Sequence, residues 1–201
     1  MTDATKASHL DRRAAVAALL RDRGDALVVA GLGSAIWDVE AAGETPLNFY
    51  LLGAMGSVTP TALGLALAQP SRRVLAFTGD AELLMGLGAL PTVAVRRPKN
   101  LAIIVLDNER FGETGGQLSH TASGVDLAGF AEASGFPIVR RVTGEADLGE
   151  LRRELYAAEG PVCALLKVGA AMPPVVMPIR DGTTGLRRFR AALLGEAALK
   201  V

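Results

Sequence analysis

Two periodicities alternate along the chain. Short apolar runs bounded by Gly, Asp or Asn are separated by longer stretches in which apolar residues return every three or four positions. The short runs predict strands at Ala26 to Ala30, Asn48 to Leu51, Val74 to Phe77, Leu101 to Leu106, Ile138 to Val142 and Val162 to Lys167. The longer stretches predict helices at Leu10 to Arg23, Thr59 to Ala68, Leu83 to Val95, Leu127 to Ala133, Leu148 to Ala158 and Leu186 to Leu194. A run such as Leu101-Ala102-Ile103-Ile104-Val105-Leu106 has no polar face, so helices must cover it above and below. The pattern specifies an α/β fold: a doubly wound, mostly parallel sheet with helices on both faces, forming a single domain over 1–201.

Local signals refine the elements. Val16, Leu19 and Leu20 form the apolar face of the first helix, with Arg12, Arg13 and Arg23 placed elsewhere. Pro91 is expected to kink or interrupt the third helix, because its ring removes an amide donor and crowds the preceding turn. Asp126 and Asp147 stand where N-caps belong. Gly169 to Gly185, with Pro173, Pro174 and Pro178, reads as an extended excursion, and Arg187, Arg188 and Arg190 make the helix after it basic, for a solvated face or for contact with a partner subunit.

Composition narrows the function classes. Half of the 201 residues are apolar, enough for a core without disulfides, and Cys163, the one cysteine, falls inside an apolar run and reads as a core residue. Twenty-one basic side chains balance 21 acidic ones, which argues against a nucleic-acid partner. No apolar stretch approaches the ~20 residues that span a bilayer, so the expectation is a cytoplasmic protein without a membrane association.

Candidate chemistry sits where two buried strands end, at Gly79-Asp80-Ala81-Glu82 and at Asp107-Asn108-Glu109-Arg110-Phe111-Gly112. Such ends are where open α/β sheets bind ligands. A carboxylate at Asp80 and an amide oxygen at Asn108 suit an octahedral Mg²⁺ shared with a diphosphate. Two further glycine turns, Gly31-Leu32-Gly33-Ser34 and Gly53-Ala54-Met55-Gly56, allow backbone amides to approach phosphate oxygens closely. The first lacks the third glycine of a dinucleotide fingerprint and also fits a plain strand-to-helix turn.

The order of these motifs resembles the pyrophosphate-binding domain of thiamine diphosphate enzymes, whose signature is Gly-Asp-Gly followed by Asn-Asn. It is most similar to sulfopyruvate decarboxylase β subunits and the carboxyl-terminal part of phosphonopyruvate decarboxylases, in which Gly-Gly-Gln follows the metal motif as Gly115-Gly116-Gln117 does here. The resemblance implies thiamine diphosphate and Mg²⁺ as cofactors. It implies that Asp80, the Asn108 side chain and the Arg110 carbonyl hold the metal, with Phe111 and Gly112 completing that turn. It further implies that Gly53 accepts a hydrogen bond from the aminopyrimidine and that Met55 wedges the cofactor into its bent form. Gly31, Gly33, Ser34 and Gly79 are the candidate phosphate-side contacts. Ala81 departs from the third glycine of the signature. Glu82 replaces a small hydroxyl residue, and is expected to turn away from the diphosphate or to act at a helix start.

The resemblance also implies a partner. The family's catalytic glutamate lies on a pyrimidine-binding domain, so a separate α-type subunit is expected to complete a hetero-oligomeric 2-oxo acid decarboxylase. His120, Glu113 and Thr114 are the candidates for catalytic or substrate contacts, since a positioned acid must deliver a proton; Gln117 and Ser119 are weaker candidates. His9 reads as a solvent-exposed residue. A carboligase of the acetolactate synthase type and a non-catalytic scaffold that kept the fold are the alternatives.

Overall fold

The computed structural model describes residues 9–200. Six parallel strands, β1 (Leu27–Gly31), β2 (Asn48–Leu51), β3 (Val74–Gly79), β4 (Leu101–Asp107), β7 (Ile138–Val142) and β8 (Val162–Lys167), form one sheet in the order β2-β1-β3-β4-β8-β7. Between β4 and β7 a two-stranded antiparallel hairpin, β5 (Arg110–Phe111) with β6 (Gln117–Leu118), stands apart from the sheet. The helices are α1 (Arg12–Leu20), α2 (Ser34–Ala41), α3 (Val58–Ala68), α4 (Asp80–Met85), α5 (Ala89–Arg96), α6 (Leu127–Ser134), α7 (Leu148–Ala157) and α8 (Gly182–Leu194).

Alternation divides the sheet's side chains between two cores. In β4, Ala102, Ile104 and Leu106 join the core under α1, α2 and α7, while Leu101, Ile103 and Val105 join that under α3, α5 and α6. The expected doubly wound α/β sheet is therefore present, its four central strands β1, β3, β4 and β8 buried on both faces and its edge strands β2 and β7 only partly covered. The chain passes from β1 to β2 on one side and then to β3 on the other. The crevice between the carboxyl ends of β1 and β3 is consequently the topological switch point, the position where such sheets take ligands.

Several expectations are corrected. The predicted helix from Leu83 to Val95 is two helices, broken at Gly86-Leu87-Gly88. Pro91 is the third residue of α5, where its missing amide would have had no intrahelical partner, so it causes no kink. Helix α2 was not anticipated, although Ser34 to Ala41 carries the apolar spacing of Ile36, Trp37 and Val39. Arg12 lies on the inner face of α1, buried at 3% exposure, because its guanidinium pairs with the fully buried Asp38 of α2; Arg13 reaches the same carboxylate at 2.9 Å.

Asp126 and Asp147 do occupy the N-cap positions of α6 and α7, but neither side chain makes a capping bond. The Asp126 carboxylate is drawn to Arg141 of β7 at 2.7 Å, and Asp147 already has helical backbone angles. The caps that do form are Asp11, accepting from the Ala14 amide at 2.7 Å, and Asp181, accepting from the Thr183 amide at 3.1 Å. Helix α8 starts four residues earlier than predicted, at that Asp181 cap. It docks on β2 through Phe189, whose ring lies 5.3 Å from that of Phe49, and Arg188 pairs with Glu44 at 2.5 Å. Cys163 is buried and its thiol is pushed up to about 12 by desolvation; His9 is exposed.

Candidate functional site

The two sequence motifs meet at the switch point. Strand β3 ends at Gly79 and α4 begins with Asp80, while β4 ends at Asp107 and delivers Asn108 to the same crevice. A cavity of about 150 Å³ opens there, lined by Gly33 and Ser34 from the first glycine turn, Met55 from the second, Gly79, Asp80, Ala81 and Glu82 from the third, and Asn108 through Thr114 apart from Glu109. Leu32, Met85, Leu106 and Met172 complete the lining and were not anticipated. Gly31, Gly53 and His120 lie outside it.

Asp80 is 2% exposed, and burial raises its pKa by disfavouring the carboxylate. Ser119 donates its hydroxyl to Oδ2, and the Thr121 hydroxyl oxygen lies 3.1 Å from the same oxygen. Oδ1 is left without a side-chain partner, and among the described residues no cation pairs with this carboxylate. Its neighbour Asp107, by contrast, is neutralised: Lys167, its register partner on β8, lies 2.7 Å from Oδ2, and Thr121 donates to Oδ1 at 2.7 Å. A buried carboxylate that lacks a countercharge is the group a cation would satisfy.

The turn after β4 is built from its own side chains. Asp107 Oδ1 accepts from the Glu109 amide and Asn108 Oδ1 from the Arg110 amide, both at 3.1 Å. Glu109 thereby takes a left-handed conformation, φ 59°, and its carboxylate binds Lys167 at 2.6 Å. The Asn108 amide oxygen retains a second lone pair for a ligand. No three His, Cys, Asp or Glu side chains gather into a metal cluster among the described residues. A cation would rely on one carboxylate, amide and carbonyl oxygens, and the ligand's own oxygens, which is the donor set of a hard ion.

Glu82 does not point at a ligand as a free charge. It is 3% exposed, receives the Thr78 hydroxyl, and accepts from the Val58 amide at 3.3 Å. Its carboxylate occupies the space where a side chain on Gly31 would sit, which explains why β1 ends in glycine. The Gly31 role is thus packing against Glu82. Gly33 has φ 82° at the start of α2, and the Glu113 carboxylate lies 2.8 Å from where its Cβ would be. Gly56 meets the backbone of Gly86, a hypothetical Cβ on Gly56 lying 2.9 Å from the Gly86 nitrogen, which presses the Met55 turn against the end of α4.

The hairpin over the crevice is tied by Gln117, whose amide donates to the Thr114 carbonyl at 2.8 Å, and by Arg110, which donates to the Gly116 carbonyl at 2.9 Å. Gln117 therefore shapes the turn. His120 is exposed, its ring centre 6.3 Å from that of Phe111 in an edge-to-face arrangement, because the flanking Ser119 and Thr121 are anchored inward on Asp80. Glu113 and Thr114 remain at the cavity. Thr121 and Lys167 were missed from the sequence; the clue to Lys167 was a lone cation ending an apolar strand beside one ending in aspartate.

A buried acid and an amide at the switch point of a doubly wound sheet mark the crevice where proteins of this fold class bind ligands. Residues 34–165 match the model of the thiamine pyrophosphate enzyme C-terminal TPP binding domain, and the chain belongs to that family. The chain is 39% identical over 154 residues to the sulfopyruvate decarboxylase subunit beta of Methanothermobacter thermautotrophicus, covering 76% of this chain and 80% of that one. It is 33% identical over 195 residues to a sulfopyruvate decarboxylase of Methanosarcina acetivorans, covering 96% of this chain and half of the relative. To the phosphonopyruvate decarboxylase of Streptomyces viridochromogenes it is 36% identical over 168 residues, covering 83% of this chain and 42% of the relative. A solved structure assigned as a thiamin diphosphate-dependent enzyme from Mycobacterium smegmatis shares the fold, with TM-score 0.69 and 23% identity over 81% of this chain and 32% of that one.

Proposed function

We propose that this chain is the cofactor-binding half of a thiamine diphosphate- and Mg²⁺-dependent 2-oxo acid decarboxylase, completed by a separate pyrimidine-domain subunit. The observation that carries it is Asp80: a buried carboxylate with no cation partner among the described residues, at the switch-point crevice, with Asn108 lining the same cavity. When bound, thiamine diphosphate supplies the nucleophilic carbon and the electron sink for loss of CO₂. Asp80, the Asn108 amide oxygen and the Arg110 carbonyl would hold Mg²⁺. Gly33, Ser34, Gly79 and Ala81 would face the diphosphate, Met55 would support the bent cofactor, and Gly53 would accept from the aminopyrimidine. Ser119 and Thr121 orient the Asp80 carboxylate, and Lys167 keeps Asp107 from opposing a second anion beside it. Glu113 and Thr114, at the cavity, are the residues placed to hold or move a proton near substrate.

Size supports the need for a partner. The 150 Å³ cavity is below the ~300 Å³ of enclosed small-molecule sites, which supports a second chain supplying further walls. The subunit name of the Methanothermobacter relative agrees with a two-chain enzyme.

Calorimetry of the whole chain with thiamine diphosphate, with and without Mg²⁺, tests the site. Binding should require the metal and vanish in Asp80→Ala; metal-independent binding that Asp80→Ala leaves intact overturns the assignment. CO₂ release from 2-oxo acids by this chain, by the pyrimidine-domain subunit and by their mixture tests the division of labour. Only the mixture should turn over.

A further inference from the structure

The segment between β8 and α8 crosses the carboxyl edge of the sheet. It leaves β8 near Lys167, passes the cofactor cavity at Met172, reaches a second groove at Met177 and Arg180, and ends where α8 is fastened to β2. Asp181 fixes the start of that helix, accepting from the Thr183 amide at 3.1 Å and the Thr184 hydroxyl at 2.5 Å, and the Phe189 contact with Phe49 holds the helix in place. Arg180 is therefore presented by a secured backbone.

The second groove, of about 320 Å³, shares Leu32, Gly33 and Glu113 with the cofactor cavity. The two cavities adjoin across the Gly33–Glu113 contact. Trp37 and Leu52 supply apolar wall, and Arg180 is the cation that lines it. Among the described residues the Arg180 guanidinium makes no ion pair or hydrogen bond, whereas Arg110, the arginine of the cofactor cavity, is committed to the Gly116 carbonyl. A planar guanidinium with open donors beside an apolar wall is suited to a tetrahedral or planar oxyanion. Glu113 lies at the junction, against Gly33, and walls the reacting end.

We propose that Arg180 is a specificity-determining residue and that this groove receives a distal anionic group, a sulfonate, phosphonate or carboxylate, on the tail of the 2-oxo acid. This rests on the decarboxylase reading for the identity of the reacting end, but the groove can be probed without turnover. Trp37 is the chain's single tryptophan and lines the groove, so its fluorescence reports occupancy.

The full chain with thiamine diphosphate and Mg²⁺ is titrated with 3-sulfopropanoate, 3-phosphonopropanoate, succinate and propanoate. The doubly anionic probes should change Trp37 emission saturably, and propanoate should not. Arg180→Gln should weaken the responsive probes by ~10-fold or more, the scale of a charge-assisted hydrogen bond, with Arg180→Lys retaining part of the affinity. The relative strength of the three probes identifies the oxyanion. In the reconstituted enzyme, Arg180→Gln should lower kcat/KM by a similar factor for 2-oxo acids with an anionic tail and leave pyruvate unaffected. Equal probe affinity in wild type and Arg180→Gln, or equal loss for charged and neutral substrates, overturns the proposal. Failure of the decarboxylase reading shows separately, as no CO₂ release from any 2-oxo acid by the wild-type complex, and leaves the fluorescence result standing.

Discussion

Glu82 illustrates how a charge lining a ligand cavity is made harmless. Its carboxylate is spent on Thr78, Val58 and the space above Gly31, and burial raises its pKa above the ordinary 4.5. A raised acid in the folded state binds its proton more tightly than in the unfolded chain, so stability from this group falls as pH rises from 4.5 through the folded value. Urea denaturation of the chain without cofactor should show Glu82→Gln gaining on wild type across that window and levelling above it. A gap that stays constant with pH would contradict the account. Cys163 gives a simpler check: with its thiol pushed up to about 12 and 1% exposed, it should resist a thiol reagent at pH 8 in the native chain and react once the chain is unfolded. At this scale the sequence made Asp80 and Asn108 legible because each ends or follows an apolar run. It left Ser119, Thr121 and Lys167 obscure, since what they do depends on partners 39, 14 and 60 positions away along the chain.

Among elements, the least legible was α2. Its buried Asp38 looks like a surface residue until Arg12 and Arg13 of α1 are brought against it. Asp38→Ala would strand a buried guanidinium, and a loss of about 3–5 kcal/mol in denaturant unfolding is expected. The break between α4 and α5 has a different origin. A Cβ on Gly86 would collide with the Gly56 carbonyl, so this glycine is required by the close approach of two backbones. Gly86→Ala is expected to cost about 1–3 kcal/mol and, by displacing the Met55 turn, to weaken thiamine diphosphate binding measured by calorimetry. The helix prediction failed there because apolar spacing runs on through Leu87 and Leu90 and carries no record of the Gly56 backbone that interrupts it.

On the whole molecule, Met55, Met85 and Met172, at 39%, 61% and 52% exposure, line the cavity, and Leu118, at 63%, lies on the hairpin paired with Arg110 beside it. An apolar rim around an incomplete cavity is where a second subunit gains most by docking. Leu118→Lys should leave the unfolding free energy of the isolated chain within about 0.5 kcal/mol, as surface changes do, yet weaken assembly with the pyrimidine-domain subunit in sedimentation analysis. Unchanged assembly would remove this face from the interface. No helix among the described residues is long and apolar enough to cross a membrane.

By itself the sequence determined the alternation of strands and helices, the parallel doubly wound sheet and the two motifs at strand ends, because each depends on periodicity and turn chemistry within a few neighbouring positions. The tertiary structure alone decided which charges are paired, that Glu82 fills the space above Gly31, that His120 lies outside the cavity, and that Arg180 shares a groove with Glu113 and Trp37. Those outcomes depend on which distant segments the sheet order places side by side, and on what burial then requires of their polar atoms.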